Sequence, residues 1–220
     1  MLPTVSSVFW DEIRRIRVEL HAWIGQVIEE GNSLEPIRYD LSFGLPSHEH
    51  EDPRSVLDAA VLEGGYLLHG AIDIVERHLA TRLCRVTDIK TGTSFAKPAM
   101  VIGGGEVLQP VLYALALEAV WQERVVDARL SFCTQRGGNS EHVIAMDARA
   151  RASARRVLDL VDDAVEKGFS PAAPREHACE NCGYRIVCGP HEERRAMRKD
   201  ENTLDDGIML SRLRALQSEP

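Results

Sequence analysis

Aromatic residues are scarce in this chain, only 5% of 220, so any core must be built mainly from aliphatic side chains. No run of 18 apolar residues occurs, and no apolar segment follows a basic start. The chain is therefore expected neither to span a membrane nor to be secreted by its own signals. Positive charge is not in excess: 26 Lys and Arg against 34 Asp and Glu leave a net charge of −8. Bulk attraction to nucleic acid is thereby excluded, and any phosphate contact must come from local patches. Internal repeats and long low-complexity tracts are absent. Residues 1 to 83 hold no cysteine, and the five that follow are an odd number. That argues against a disulfide framework and for reduced thiols in a cytoplasmic setting.

The hydrophobic content, 44%, is enough for one substantial core with appendages. Residues 1–34 are expected to form an N-terminal helix on that core, 35–170 the core itself, 171–199 a cysteine-bearing cap and 200–220 a polar, frayed tail. Phe9, Ile13, Ile16, Leu20 and Trp23 recur at helical spacing behind a capping Ser6 or Ser7. Ile37 to Phe43 alternates like a strand, and Ser55 to Glu63 holds a short one. Tyr66–Glu76 and Arg82–Ile89 read as an antiparallel hairpin. Glu106–Trp121 reads as an apolar helix in which Pro110 is tolerated near the first turn. Ala128–Thr134 and His142–Met146 make a second strand pair, and Asp147 caps a helix to about Lys167. The order α-β-β-β-β-α-β-β-α predicts a mixed α/β domain, not a doubly wound one.

Chemistry gathers on the first hairpin. Asp88 and Lys90 are two residues apart on a strand and share a face. If the register brings Asp73 beside them, two carboxylates converge next to one ammonium. Converging carboxylates repel unless a cation neutralises them. Mg²⁺ (or Mn²⁺) suits such a site, with hard oxygen ligands and room for waters and a substrate phosphate. The Ile89 carbonyl is a further candidate ligand, and Lys90 would assist the attacking water. Gln109 and Tyr113, four apart, share one helix face and could reach the same place. Taken alone, D-x-K is a common chance pattern, and Tyr113 could simply fill core space. Downstream, Cys179, Cys182 and Cys188 are spaced C-x2-C-x5-C, a pattern that reads as a metal or iron–sulfur site.

Asp73, Asp88-Ile89-Lys90-Thr91-Gly92 and Gln109-Pro110-Val111-Leu112-Tyr113-Ala114 together resemble the motifs of RecB-type nucleases of the PD-(D/E)XK superfamily. The likeness runs from about Ile37 to Cys188. It implies a restriction-endonuclease-like fold and Mg²⁺-dependent hydrolysis of DNA, as an exonuclease in repair or recombination. Asp73 and Asp88 would hold metal, Lys90 would be catalytic, and Gln109 and Tyr113 would support the site. Glu76 matches a second acidic position of the family. The cysteine run resembles iron–sulfur, AddB-like members, which implies a 4Fe–4S cluster and a helicase subunit as partner.

Two family parts have no counterpart: a histidine on a helix before the core, for which His21 is the only helical candidate, and a first cysteine far upstream. The chain is therefore expected to be the C-terminal part of a longer nuclease, weakly active or inactive without a missing N-terminal segment. The competing reading is a non-catalytic DNA-binding or assembly fragment. Cys84 and Cys133 read as packing. His177 and His191 could complete a zinc site, although solvated loop histidines are the plainer reading, as they are for His48 to Asp52. Arg194, Arg195, Arg198 and Lys199, beside the cysteines, are candidate DNA contacts. Arg149, Arg151, Arg155 and Arg156 read as a solvated face.

Overall fold

A computed structural model describes residues 6–31, 33–48, 51–169, 172–174, 178–180, 182–199 and 207–220. Helix α1 (Ser6–Glu30) is followed by β1 (Leu34–Phe43), the short β2 (Ala60–Val61) and β3 (Leu67–Leu68), then β4 (Gly70–His78) and β5 (Cys84–Lys90). Helix α2 (Gln109–Trp121) leads into β6 (Val125–Phe132), β7 (Glu141–Ala145) and α3 (Ala148–Glu166). The short α4 (Arg185–Cys188) and α5 (Glu192–Met197) precede α6 (Gly207–Gln217). Five strands form a mixed sheet in the order β1-β4-β5-β6-β7. Only β5 and β6 run parallel, with α2 as their crossover. The fold is the mixed α/β class that the element order implies, in the restriction-endonuclease-like form that the resemblance implies.

The element boundaries follow local chemistry. Asp147 caps α3 by accepting the Ala150 N–H at 2.9 Å, satisfying one of the free donors of the first turn. Pro110 sits in the first turn of α2, where its missing N–H costs nothing. That helix begins at Gln109 rather than Glu106, because Pro110 has no N–H to donate to the Glu106 carbonyl. The strand expected over Tyr66–Glu76 divides into β3 and β4, so five strands rather than four precede α2. The Ser55–Glu63 strand shrinks to β2 and a single bridge from Val56 to Phe43.

One face of the sheet carries the core. Val75, Val86 and Ala128 meet Val111, Ala114 and Leu117 of α2, with Ala154 and Val157 of α3 behind them. Each fully buried aliphatic side chain contributes about 1.5–3 kcal/mol. The polar, frayed tail expected over 200–220 is corrected in its described part. Residues 207–217 are a helix that seals this core with Met209, Leu210 and Leu216. Ile102 N–H also donates to the Pro220 carbonyl at 3.1 Å. The α3 arginines lie at the surface, as the solvated reading has it, and three of them are also paired. Arg151 grips Glu118 through two bonds of 2.6 and 2.7 Å, Arg155 pairs with Asp159, and Arg156 pairs with Glu219. Arg151 and Arg156 tie α3 to α2 and to Glu219.

The opposite face is polar. Arg129 is only 3% exposed and donates to both oxygens of Glu76 at 2.8 Å, to the Thr87 hydroxyl at 3.0 Å and to Glu141 at 2.8 Å. Glu76 also accepts from Thr87. Both Glu76 oxygens are thus taken up in this ion-pair network.

Helix α1 keeps Phe9, Ile16 and Leu20 39–50% exposed. It meets the domain where Gln26 Nε2 donates to the Asn139 carbonyl at 3.0 Å, and across a cleft at the end of β5. Among the described residues, no helix is long and apolar enough to cross a membrane.

Candidate active site

Strands β4 and β5 pair antiparallel from Arg77↔Cys84 to Ile74↔Thr87. One step further lie Asp73 and Asp88, the latter on the face of Val86. The ladder stops there, and the Asp73 carboxylate takes up a backbone donor of the opposite strand. Ile89 N–H donates to Asp73 Oδ2 at 2.6 Å. The carboxylate thus fixes the end of the hairpin while sitting beside Asp88.

Asp88 is 4% exposed. Its carboxyl is pushed above the usual carboxylate range, first by burial, with Asp73 adding to the push and Lys90 opposing it. The Lys90 ammonium lies 2.7 Å from Asp88 Oδ2. Lys90 is thus the charge partner of this buried oxygen and opposes the effect of burial on it. It also donates to Gln109 Oε1 at 2.7 Å, and Gln109 Nε2 donates to the Tyr113 hydroxyl at 3.4 Å. The side chains expected to gather at one site are therefore in one connected group, drawn from β4, β5 and α2. Gly70 makes room for it: a Cβ there would come within 2.8 Å of Tyr113 Cε1 and 3.2 Å of Phe43 Cζ.

These donors suit a hard divalent cation. Two carboxylates lie close enough for Asp73 to act on Asp88, and Mg²⁺ typically takes one or two carboxylates plus waters and substrate phosphate. The side chain of Lys90 is 28% exposed and that of Asp88 5%, so the ammonium stands at the mouth and the carboxylate at the base.

The cysteine cap is looser. Cys179, Cys182 and Cys188 line one pocket of 270 Å³ together with His191. The Cys179 thiol is pushed up, first by desolvation, then by Glu193 and by the two neighbouring thiols. Among the described residues, no three His, Cys, Asp or Glu side chains close on a common ion. The arrangement as it stands therefore does not form a cluster's coordination shell, and no chemistry is derived through one. His177, and Glu49 and His50 of the acidic loop, lie outside the described residues. His48 contacts Asp40 and Glu51, within 3.1 and 3.5 Å. Cys84 is fully buried against Arg77 and Glu123, and Cys133 lies 3.7 Å from the Lys90 carbonyl.

Of the four basic residues beside the cap, Arg195 donates to the Cys188 and Pro190 carbonyls and pairs with Glu192. Lys199 donates to the Ala172 carbonyl. Arg194 and Arg198 are exposed.

The sequence reading misses a cleft of 490 Å³ between α1 and the ends of β5 and β6, walled by Ile16, Glu19 and Trp23 on one side and by Ile89, Thr91 and Arg136 on the other. Its signal was visible as the Ile16-Leu20-Trp23 stripe, which was read as a core face.

A family model described as the PD-(D/E)XK nuclease superfamily matches residues 4–189, which include the acidic hairpin, α2 and all three clustered cysteines. A solved structure described as "Crystal structure of SSO0001" is 15% identical, with 81% of this chain and 70% of that chain covered at a TM-score of 0.35. So distant a likeness carries no further argument. No curated protein matches.

Proposed function

The chain belongs to the PD-(D/E)XK nuclease superfamily, and from that premise we propose that it is a RecB-type, Mg²⁺-dependent DNA exonuclease acting in repair or recombination in the cytoplasm. The observation that carries this reading is the buried Asp88 carboxylate, which pairs with the Lys90 ammonium and feels the charge of Asp73 at the end of the same hairpin. Asp73, Asp88 and the Ile89 carbonyl would hold the ion. Bound there, Mg²⁺ (or Mn²⁺) supplies Lewis-acid stabilisation of charge on the phosphoryl oxygens and makes a water more acidic.

The chain's own residues do the rest. Asp73 holds Ile89 N–H and so keeps the two carboxylates at the same end of the hairpin. Gln109 holds the Lys90 ammonium at the mouth, where it can orient the attacking water and offset charge developing on the scissile phosphate. Tyr113 steadies Gln109 while its ring packs edge-on against Phe43 at 6.0 Å. Arg194 and Arg198 are exposed beside the cysteine cap and are the proposed phosphate contacts there. Arg195 and Lys199 would join them only by giving up their carbonyl partners. The shared pocket of Cys179, Cys182 and Cys188 supports an AddB-like cap that draws together around a metal, with a helicase subunit as the natural partner of such a nuclease.

The test is degradation of linear and covalently closed circular DNA by the full chain in Mg²⁺, in Mn²⁺ and in EDTA. Metal-dependent loss of the linear form alone is the expected result. Equal attack on the closed circle would replace the exonuclease assignment with an endonuclease, and no cleavage in either metal would favour a non-catalytic DNA-binding module.

A further inference from the structure

The cleft between α1 and the strand ends lies outside the acidic site yet touches the same strand. Ile89 and Thr91 line it. They alternate with Asp88 and Lys90, so the cleft opens on the other side of the β5 end from the carboxylates. Its walls are unlike a buried core. Ile16 and Leu20 are 42% and 50% exposed, and Trp23 is half-buried among the lining residues. Two guanidinium groups flank these apolar walls. Arg15 is half-exposed and pairs with Glu12 on its own helix. Arg136, at the tip of the turn between β6 and β7, is exposed and forms no ion pair among the described residues. Glu19 adds a carboxylate acceptor inside the cleft.

An aromatic ring, aliphatic walls, one acceptor and flanking cations are the chemistry that receives an unpaired base with its phosphate. A cleft of 490 Å³ is also within the range of small-ligand sites. Resting on the nuclease reading above, we propose that this cleft is a subsite for an unpaired nucleotide next to the scissile phosphate: the base stacks on Trp23 and the phosphate meets Arg136. A single strand can bend around the end of β5 to occupy both sides at once. A duplex, with a persistence length of about 50 nm, cannot turn that sharply. The subsite therefore selects single-stranded ends and flaps over blunt duplex.

The experiment uses the full chain carrying Lys90→Ala, so that DNA stays intact, and measures binding of oligo-dT, oligo-rU and a blunt duplex, with tryptophan fluorescence as a second readout. Oligo-dT should quench the fluorescence. Trp23→Ala should weaken oligo-dT binding about tenfold, in the range that loss of one stacking contact produces. Trp23→Phe should keep most of the affinity while losing most of the quench, because phenylalanine still offers a ring. Arg136→Ala should weaken oligo-dT binding and lower the salt slope by about one phosphate. Duplex binding should change little in any of these variants. Equal binding of oligo-rU would widen the subsite to either nucleic acid, and binding of neither oligonucleotide would overturn it. Equal weakening on single strand and duplex, or none from Trp23→Ala, would also overturn it. Failure of the Lys90-intact chain to cleave any DNA would sink the hydrolytic reading separately, leaving Trp23-dependent binding to be judged on its own.

Discussion

Replacing Asp88 with asparagine should stabilise the metal-free protein while removing its response to metal. Asp88 is 4% exposed, and burial pushes its carboxyl up against the opposing pull of Lys90. Desolvating a carboxylate costs several kcal/mol, which an ammonium that is itself 28% exposed only partly offsets. Asparagine keeps the shape and removes the charge. Lys90 loses an ion-pair partner but keeps Gln109 and is partly solvated, so that loss is under about 1 kcal/mol. The net gain is about 1–2 kcal/mol. At roughly 2–4 °C per kcal/mol for a chain of this size, the melting temperature in EDTA at pH 8 should rise by roughly 2–8 °C. The pH dependence has a definite sign. Because the folded carboxyl titrates above its unfolded value, the folded state holds the proton longer, and wild-type stability falls as pH rises through the window between the two values. Below that window the two proteins should melt alike, and the gap should open above it. Mg²⁺ at ten times its Kd should restore about 1.4 kcal/mol to wild type and nothing to Asp88→Asn. Thermal melts across pH 3.5 to 8, with Mg²⁺ and with EDTA, check all of this. A variant that melts at or below wild type in EDTA at pH 8 and still gains stability from Mg²⁺ would refute the reasoning.

Three further outcomes test the scaffold around the site. Arg129→Ala leaves the buried Glu76 uncompensated and should cost about 3–5 kcal/mol in a urea titration, much of it recovered when Glu76→Leu is added. Gly70→Ala should cost about 1–3 kcal/mol in thermal melts and lower cleavage by displacing the Tyr113 ring. Leu210→Ala, in the C-terminal helix, should cost about 2–5 kcal/mol, whereas a frayed tail would lose nothing measurable by the same melt.

The hairpin was legible because its signals are local. Strand alternation puts Asp88 and Lys90 on one face, and a four-residue helical step aligns Gln109 with Tyr113. The Asp147 cap and the Pro110 first turn were legible for the same reason. What local signals leave open is long-range. The pairing of Glu76 is set by Arg129, 53 residues away. The partners of the exposed Arg151 and Arg156, Glu118 and Glu219, are likewise distant in sequence. Residues 207–217 read as a polar tail because the core that Met209, Leu213 and Leu216 pack against is built elsewhere. The cleft escaped notice because a helix stripe looks the same whether it lines an opening or fills a core.

The most direct measurement of the central claim is the single-turnover rate of linear-DNA cleavage in Mg²⁺ for wild type beside Lys90→Ala, with melting temperatures taken on the same preparations. Lys90 stands at the mouth of the carboxylate pair and is the counter-ion of the buried Asp88, so the melts are compared in Mg²⁺, where the ion takes over that charge and the variant should melt within a few degrees of wild type. Its cleavage should fall about 10²–10³-fold, as when one preorganised donor is removed from an active site. Cleavage by Lys90→Ala within twofold of wild type would contradict the assignment of this site.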